Sequence, residues 1–388
     1  MKTLNHNHLI KKISSVCNFK KTGLHEPVFS NDDIKSVNKS LYSSMVSSSA
    51  GMVQVFEKNI KRYVKSNYCI ATINGTAALH VSLLIVGVKK NDEVLVPPFS
   101  FVSTANSILY CNAIPHFIDI NKKNLGIDVE KLELYLKSIC KKKNGICYNK
   151  NTGNVIRAII PVHVFGHAVE MKKLIKICKY FNIKVVEDAA EALGSFYKKK
   201  HLGTLGDVGI ISFNGNKIIT TGGGGAIITN NKKLAKKAKH LVSNSKKNHA
   251  WEYNHDQIGY NYRMPSLNAA LGCAQLKKLK HFLKHKRNIY NNYKLKLKEF
   301  DAHLTLMKEP DKCKSNYWLN TIILKKNNTN LRNKILLSAH KKNIKLRPIW
   351  NPINTFKQFK KCPQMKLINV NKYKNSIINL PSGLNILK

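Results

Sequence analysis

The sequence predicts an α/β protein built on a mostly parallel sheet covered by helices on both faces. Between about residues 55 and 230, apolar runs of about four to six residues alternate with stretches of helical periodicity. The runs are rich in Val, Ile and Leu with few polar interruptions, as strands buried on both faces are. Beyond about residue 265 the pattern changes to one long helical stretch and a mixed segment, which suggests a smaller α+β C-terminal domain. The division expected is an N-terminal arm and large domain over 1–250, and a small domain over 251–388.

The elements follow in order. Tyr68–Ile73 reads as a strand and Thr76–Val88 as a helix. Glu93–Pro97 is a strand, then Ser103–Cys111 a helix. His116–Ile120 and Val155–Ile160 read as strands, with the Lys/Asn-rich stretch Lys141–Asn154 as an exposed loop. Met171–Tyr180 is a helix that leads into the strand ending at Asp188. Val208–Phe213 and Gly225–Thr229 complete the large set. Ser266 to about Phe300 reads as a long amphipathic helix, with Leu267, Leu271, Ala274, Leu279 and Leu283 at helical spacing. The small domain takes a strand in Tyr317–Leu324, a helix from about Thr329 to Lys342, and Ile344–Trp350.

At 388 residues the chain can bury a large core, and 43% hydrophobic content fits a globular protein. No run reaches the roughly 18 apolar residues of a membrane span, and the start lacks the apolar core of a secretory signal. The nine cysteines are scattered with no C-x-x-C, which argues against a zinc site or disulfide framework and for a reducing cytoplasm. The net charge of +45 raises a nucleic-acid reading. However, the lysines are spread along the whole chain among abundant Asn and Ile, and no nucleic-acid module motif is visible. The pattern reads as compositional drift with lysines on a solvated surface.

Parallel sheets bind ligands at the carboxyl ends of their strands. Three candidate anchors follow strands directly: Gly75, Asp188 and Asn214. Gly75 and Thr76 open a helix, whose free N–H groups and positive dipole end suit a phosphate. Such a turn is ordinary by itself. Asp188 ends an apolar strand, where a carboxylate can pair with a pyridinium nitrogen. Glu187 competes for this part, but alternation puts the two on opposite faces. Lys217 stands between the strand ending at Phe213 and the run Gly222–Gly225. A lysine so placed can hold an aldehyde as a Schiff base. Ser212 is positioned for a phosphate, and Phe101 or Phe99 for stacking on a flat ring. His163 reads either as a site residue or as a buried histidine with its own partners. Together these residues supply the three anchors of pyridoxal 5'-phosphate.

The segments Asn74–Leu79, Pro98–Thr104, Pro161–Gly166, Glu187–Glu191, Ser212–Lys217 and Gly259–Met264 together resemble the DegT/DnrJ/EryC1/StrS family of pyridoxal phosphate-dependent sugar aminotransferases. The likeness runs from about Glu26 to Pro381 and implies the aspartate-aminotransferase-like fold type I. It implies Lys217 and Asp188 as catalytic residues, with Gly75, Thr76, Phe101, His163, Glu191, Ser212 and Asn214 around the cofactor. Asn261 would reach the phosphate of the other subunit's cofactor, which implies a homodimer with shared sites. Met45–Ser49, the four glycines, Tyr317–Asn320 and Arg347–Trp350 resemble the subgroup that makes 4-amino sugars for legionaminic acid and bacillosamine. Asn320, Arg347 and Trp350 are the substrate-side candidates. The resemblance implies L-glutamate as amino donor and a nucleotide-linked 4-keto sugar as acceptor. Position 191 is Glu where the family usually has Gln, and a carboxylate facing the ring oxygen would repel it unless protonated or turned aside. A sugar dehydratase of the same fold would carry His in place of Lys217.

Overall fold

The computed structural model describes residues 4–17, 23–48 and 51–386. Its centre is a seven-stranded sheet. The strands are β1 (Tyr68–Thr72), β2 (Glu93–Val96), β3 (Ile114–Phe117), β4 (Ile156–Ile159), β5 (Lys184–Asp188), β6 (Val208–Ser212) and β7 (Gly225–Thr229), in the spatial order β1-β7-β6-β5-β4-β2-β3. β7 is antiparallel to both its neighbours, and every other pair is parallel. Alternation along each strand feeds two cores. Val94 and Val96 enter one and Leu95 the other; Val186 and Val185 part in the same way. That double burial is why the strands read as continuous apolar runs.

Two local expectations are corrected. The strand expected at His116–Ile120 is Ile114–Phe117. Its partner β2 runs into Pro97 and Pro98, which have no N–H to extend a ladder. The expected loop at 141–154 contains a β-hairpin, Cys140–Lys143 paired with Ile146–Asn149. Its turn is Asn144-Gly145, with φ of 51° and 74°. Two consecutive positive φ values are what a tight hairpin needs, and Asn-Gly is the pair that adopts them most readily.

The long helix is Ser266–Lys296, continued by a short turn of 3-10 helix at Lys298–Phe300. Its first half is not amphipathic: Ala269, Ala270, Gly272, Cys273, Ala274 and Gln275 are all buried. Small residues let the helix Met52–Val64 come close. A Cβ at Gly272 would lie 2.6 Å from the Phe56 ring. The C-terminal part forms a four-stranded antiparallel sheet of Leu304–Leu306, Asn320–Leu324, Ile377–Leu380 and Arg347–Pro348, in that spatial order. The N-terminal helix His6–Ser14 buries Leu9, Ile10 and Ile13 in this sheet's core, beside Tyr293, Phe300 and Ile378. This helix therefore packs with the C-terminal core. No helix among the described residues is long and apolar enough to cross a membrane.

Candidate active site

The carboxyl ends of β5 and β6 and the turn after β1 open into one cavity of about 400 Å³. Gly75, Thr76, Phe101, Asp188, Glu191, Ser212, Asn214, Lys217 and Trp350 line it, as do Thr104, Asn216 and Trp318.

The turn after β1 is built around Asn74. Its side chain caps the helix Gly75–Ile85 by accepting from the Ala77 N–H at 2.8 Å. The N–H groups of Gly75 and Thr76, in the first turn, have no partner within the helix and stand at the cavity rim. Ser212 lies against this turn; a Cβ on Gly75 would sit 3.2 Å from the Ser212 Cβ. The glycine run has a packing cause. A Cβ at Gly225 would come within 2.5 Å of the Asn74 carbonyl, so β7 reaches its place beside β1 only without a side chain there.

β5 sends its last two carboxylates to opposite sides, as alternation requires. Glu187 points away from the cavity. It accepts from the backbone N–H groups of Gly203, Leu205 and Gly206 and from His163. His163 Nδ1 accepts from the Val169 N–H at 3.3 Å, so Nε2 carries the proton donated to Glu187 at 3.0 Å. Both ring nitrogens are thus engaged behind Asp188, and the structure does not bring His163 into the cavity. Asp188 faces inward. It accepts from Thr104 Oγ1 at 2.8 Å and the Ala190 N–H at 3.1 Å. Burial raises its carboxyl above the ordinary range; the bonds from Thr104 and Ala190 and the charge of Lys217 offset this only in part. A buried carboxylate of this kind suits a cationic ring nitrogen as partner.

Lys217 reaches across from the loop after β6. Its Nζ lies 3.4 Å from Glu191 Oε1 and 4.0 Å above the Trp318 ring. Glu191 Oε2 accepts from the Phe165 N–H at 2.9 Å. Burial pushes the Glu191 carboxyl up to about 7, against the pull of Lys217 and Phe165 and with the help of Asp188. Trp318 is fixed by its indole N–H donating to the Asn216 carbonyl at 2.7 Å. Trp350 extends this wall, its ring 5.2 Å from Phe165. Phe101 is 58% exposed and opens the helix Val102–Tyr110, with its ring at the cavity rim.

Three other expected residues lie elsewhere. Asn320 is buried in the small sheet, where its Nδ2 donates to Ser382 Oγ at 3.0 Å. The apolar environment of that strand makes it a packing position. Arg347 is exposed on the short strand Arg347–Pro348 and does not line the cavity. Asn261 is exposed, and its backbone forms a β-bridge with Ser243. The Met45–Ser49 segment is described up to Ser48; Ser49 lies outside the described residues. Sequence reasoning missed Thr104 and Trp318 as cavity residues. Thr104 had a signal: it lies in the first turn of the helix that follows Phe101 at the strand end. Trp318 had none that set it apart from its neighbour Asn320.

The site is that of a fold type I pyridoxal phosphate enzyme: lysine, strand-end carboxylate and helix N-terminus share one cavity, and the residues present fit the cofactor. The chain matches the DegT/DnrJ/EryC1/StrS aminotransferase family over residues 27–387 and belongs to it. It is 32% identical over 360 residues to GDP-perosamine synthase of Vibrio cholerae, covering 92% of this chain and 93% of that protein. It is 33% identical over 295 residues to the UDP-4-amino-4,6-dideoxy-N-acetyl-beta-L-altrosamine transaminase of Campylobacter jejuni, covering 75% and 73%. Among solved structures it resembles Helicobacter pylori PseC, an aminotransferase involved in the biosynthesis of pseudoaminic acid. That match has a TM-score of 0.84 and 26% identity over 94% of each chain. The protein is a pyridoxal phosphate-dependent sugar aminotransferase.

Proposed function

We propose that this enzyme transfers the amino group of L-glutamate to C4 of a nucleotide-linked 4-keto-6-deoxy sugar, with UDP-2-acetamido-2,6-dideoxy-4-hexulose as the preferred acceptor. The observation that carries this reading is the convergence of Lys217, Asp188 and the Gly75–Thr76 turn on one cavity walled by Trp318 and Trp350. Relatives that act on UDP- and GDP-linked amino sugars support the acceptor class. We assign the enzyme to the cytoplasm, where its free cysteines stay reduced, and to cell-surface glycan synthesis.

When bound, pyridoxal phosphate supplies an aldehyde that takes the amino group and a ring that accepts electrons. The Gly75 and Thr76 N–H groups and the Ser212 hydroxyl would hold its phosphate at the helix N-terminus. The Asp188 carboxylate, oriented by Thr104, would keep the ring nitrogen protonated. Phe101 would pack on the ring. Lys217 Nζ would take the proton from the donor's Cα and deliver it to C4′ within the same half-reaction, and would carry it back from C4′ to the acceptor's carbon in the second. Trp318 and Trp350 exclude water from the far side and give the sugar ring an apolar face. Asn261, exposed on its own subunit, is assigned to the neighbouring subunit's cofactor phosphate, so the working unit is a homodimer.

Amination assays with glutamate against a panel of UDP- and GDP-linked 4-keto sugars test the acceptor. Turnover is expected to be fastest with the UDP-linked 2-acetamido sugar. Loaded enzyme that consumes glutamate but aminates no nucleotide sugar overturns the reading. Mixing Lys217→Ala and Asn261→Asp proteins tests the shared site: hybrid dimers recover activity that neither parent has.

A further inference from the structure

The carboxyl of Glu191 has two different anchors. Oε2 is held by the Phe165 N–H, on a turn where Phe165 itself has φ of 55°. Oε1 has one neighbouring donor, Lys217 Nζ, at 3.4 Å. The backbone of Glu191 is clamped as well, its carbonyl accepting from Asn316 Nδ2 at 2.8 Å. The carboxyl therefore cannot swing away when its partner changes.

The charged groups around it come from several elements. Lys217 lies beside it, and Asp188 faces it from the end of β5. Behind Asp188 stands the His163–Glu187 pair. Across the cavity, Trp318 separates it from His25 and Lys286, both buried. Among the described residues, Lys217 is the cation paired with it.

That cation is also the nitrogen that captures the cofactor. Lys217 Nζ forms a double bond to the aldehyde carbon. The carbonyl oxygen leaves as water with two of the ammonium hydrogens, and the positive charge stays on nitrogen. This step alone neither takes up nor releases a proton. It does change what Oε1 meets. Three ammonium N–H groups become one, and that one is drawn to the ring oxygen on the carbon next to the aldehyde-bearing carbon. A buried carboxylate without a donor and beside a new negative oxygen is strongly disfavoured.

We propose that Glu191 is ionised and paired with Lys217 in the empty site, takes up one proton from solvent as Lys217 captures the cofactor, and presents a neutral carboxyl that donates to the ring oxygen. Cofactor capture by this enzyme is then proton-linked through one residue. The raised carboxyl, near 7 in the empty site, sets the window: the linkage is felt above that pH and vanishes below it. The inference rests on the cofactor assignment and is independent of which sugar is aminated.

The test uses empty full-length protein loaded with pyridoxal phosphate at about pH 8 in weak buffer, with proton uptake read by an indicator dye. Wild type is compared with Glu191→Gln, which keeps the shape and can donate without titrating. Wild type is expected to take up about one more proton per site than the variant. Its cofactor affinity is expected to fall about tenfold more steeply per pH unit above that window. Borohydride trapping in the same samples locates the linkage. Equal proton counts, with both proteins trapped at Lys217, overturn the proposal. Trapping on another lysine overturns the cofactor assignment itself and is read separately. Should Glu191→Gln not fold, the infrared difference spectrum of wild type decides. A protonated-carboxyl band that appears on loading, and persists in Asp188→Asn, supports the proposal. Its absence overturns it.

Discussion

Glu93 and Glu191 are both buried carboxylates on the large sheet's framework, and they are treated in opposite ways. Glu93 starts β2 near the sheet edge. It accepts from His116 Nδ1 at 2.7 Å, from Asn149 Nδ2 at 2.9 Å and from Thr152 Oγ1. Burial works to raise its carboxyl, but the bonds from His116, Thr152 and Asn149 outweigh burial and hold it below its ordinary 4.5. Glu191, at the cavity, has one backbone N–H and one lysine, and burial wins. The Glu93 network ties the Asn144-Gly145 hairpin to the sheet. The cavity residues instead keep unsatisfied capacity, which a ligand fills. A saturated buried carboxylate marks structure, and an under-paired one marks chemistry.

This contrast predicts that substitutions at the cavity cost rate and spare the fold, while those at the edge do the reverse. The largest effect is expected from Lys217→Ala. Transamination should fall about a thousandfold or more, because both the cofactor's anchor and the proton carrier are lost. Circular dichroism should be unchanged. A normally active variant breaks the cavity side of the comparison.

Asp188→Asn comes next. It retains the shape and the Thr104 contact but removes the charge that holds the ring nitrogen protonated. Single-turnover formation of pyridoxamine phosphate from glutamate should slow about a hundredfold. An unchanged rate would redirect attention to Glu191.

At the edge, Glu93→Ala leaves His116, Asn149 and Thr152 without their shared acceptor. Denaturant unfolding should show a loss of about 3 kcal/mol, with turnover per folded molecule unchanged. The sign with pH follows from the depressed carboxyl. Its contribution is complete above the unfolded value of about 4.5 and is lost as pH falls through the lower folded value. The gap between wild type and variant should therefore narrow on acidification below pH 4.5. A gap that widens there contradicts the assignment.

The smallest effect is expected from exposed lysines on the helix Lys232–Leu241. Lys233, Lys236 and Lys237 all face solvent. Replacing the three with Gln should change stability by no more than about 0.5 kcal/mol and leave kcat unchanged. Salt-resistant nanomolar binding to nucleic acid, lost in this variant, would show that the charge is more than solvated surface.

Much of this could be read from the chain alone, for local reasons. Short continuous apolar runs and period-3.6 stretches placed the strands and helices around β1, β2, β5, β6 and β7. Strand-end position singled out Gly75, Asp188 and Asn214, because a parallel sheet delivers its carboxyl ends to one crevice, and the strand, turn and glycine run around it singled out Lys217. Alternation meant that only one of Asp188 and Glu187 could reach the cavity, and the fold decided that it is Asp188. Asn144-Gly145 was legible as a hairpin turn but was masked by the lysines and asparagines around it. What the tertiary structure alone decided concerns residues whose role depends on a distant partner. His163 reads like a site residue until the Val169 N–H and Glu187 occupy both its nitrogens. Asn320 and Trp318 are two residues apart, yet Asn320 begins a strand of the small sheet while Trp318, ahead of that strand, lies over Lys217. The N-terminal helix carries an apolar face that would suit either core, and only long-range packing sent it to the C-terminal one. Local sequence specifies backbone geometry and the direction of a side chain. Burial, pairing and the proton affinity of Glu191 arise from groups brought together across the fold.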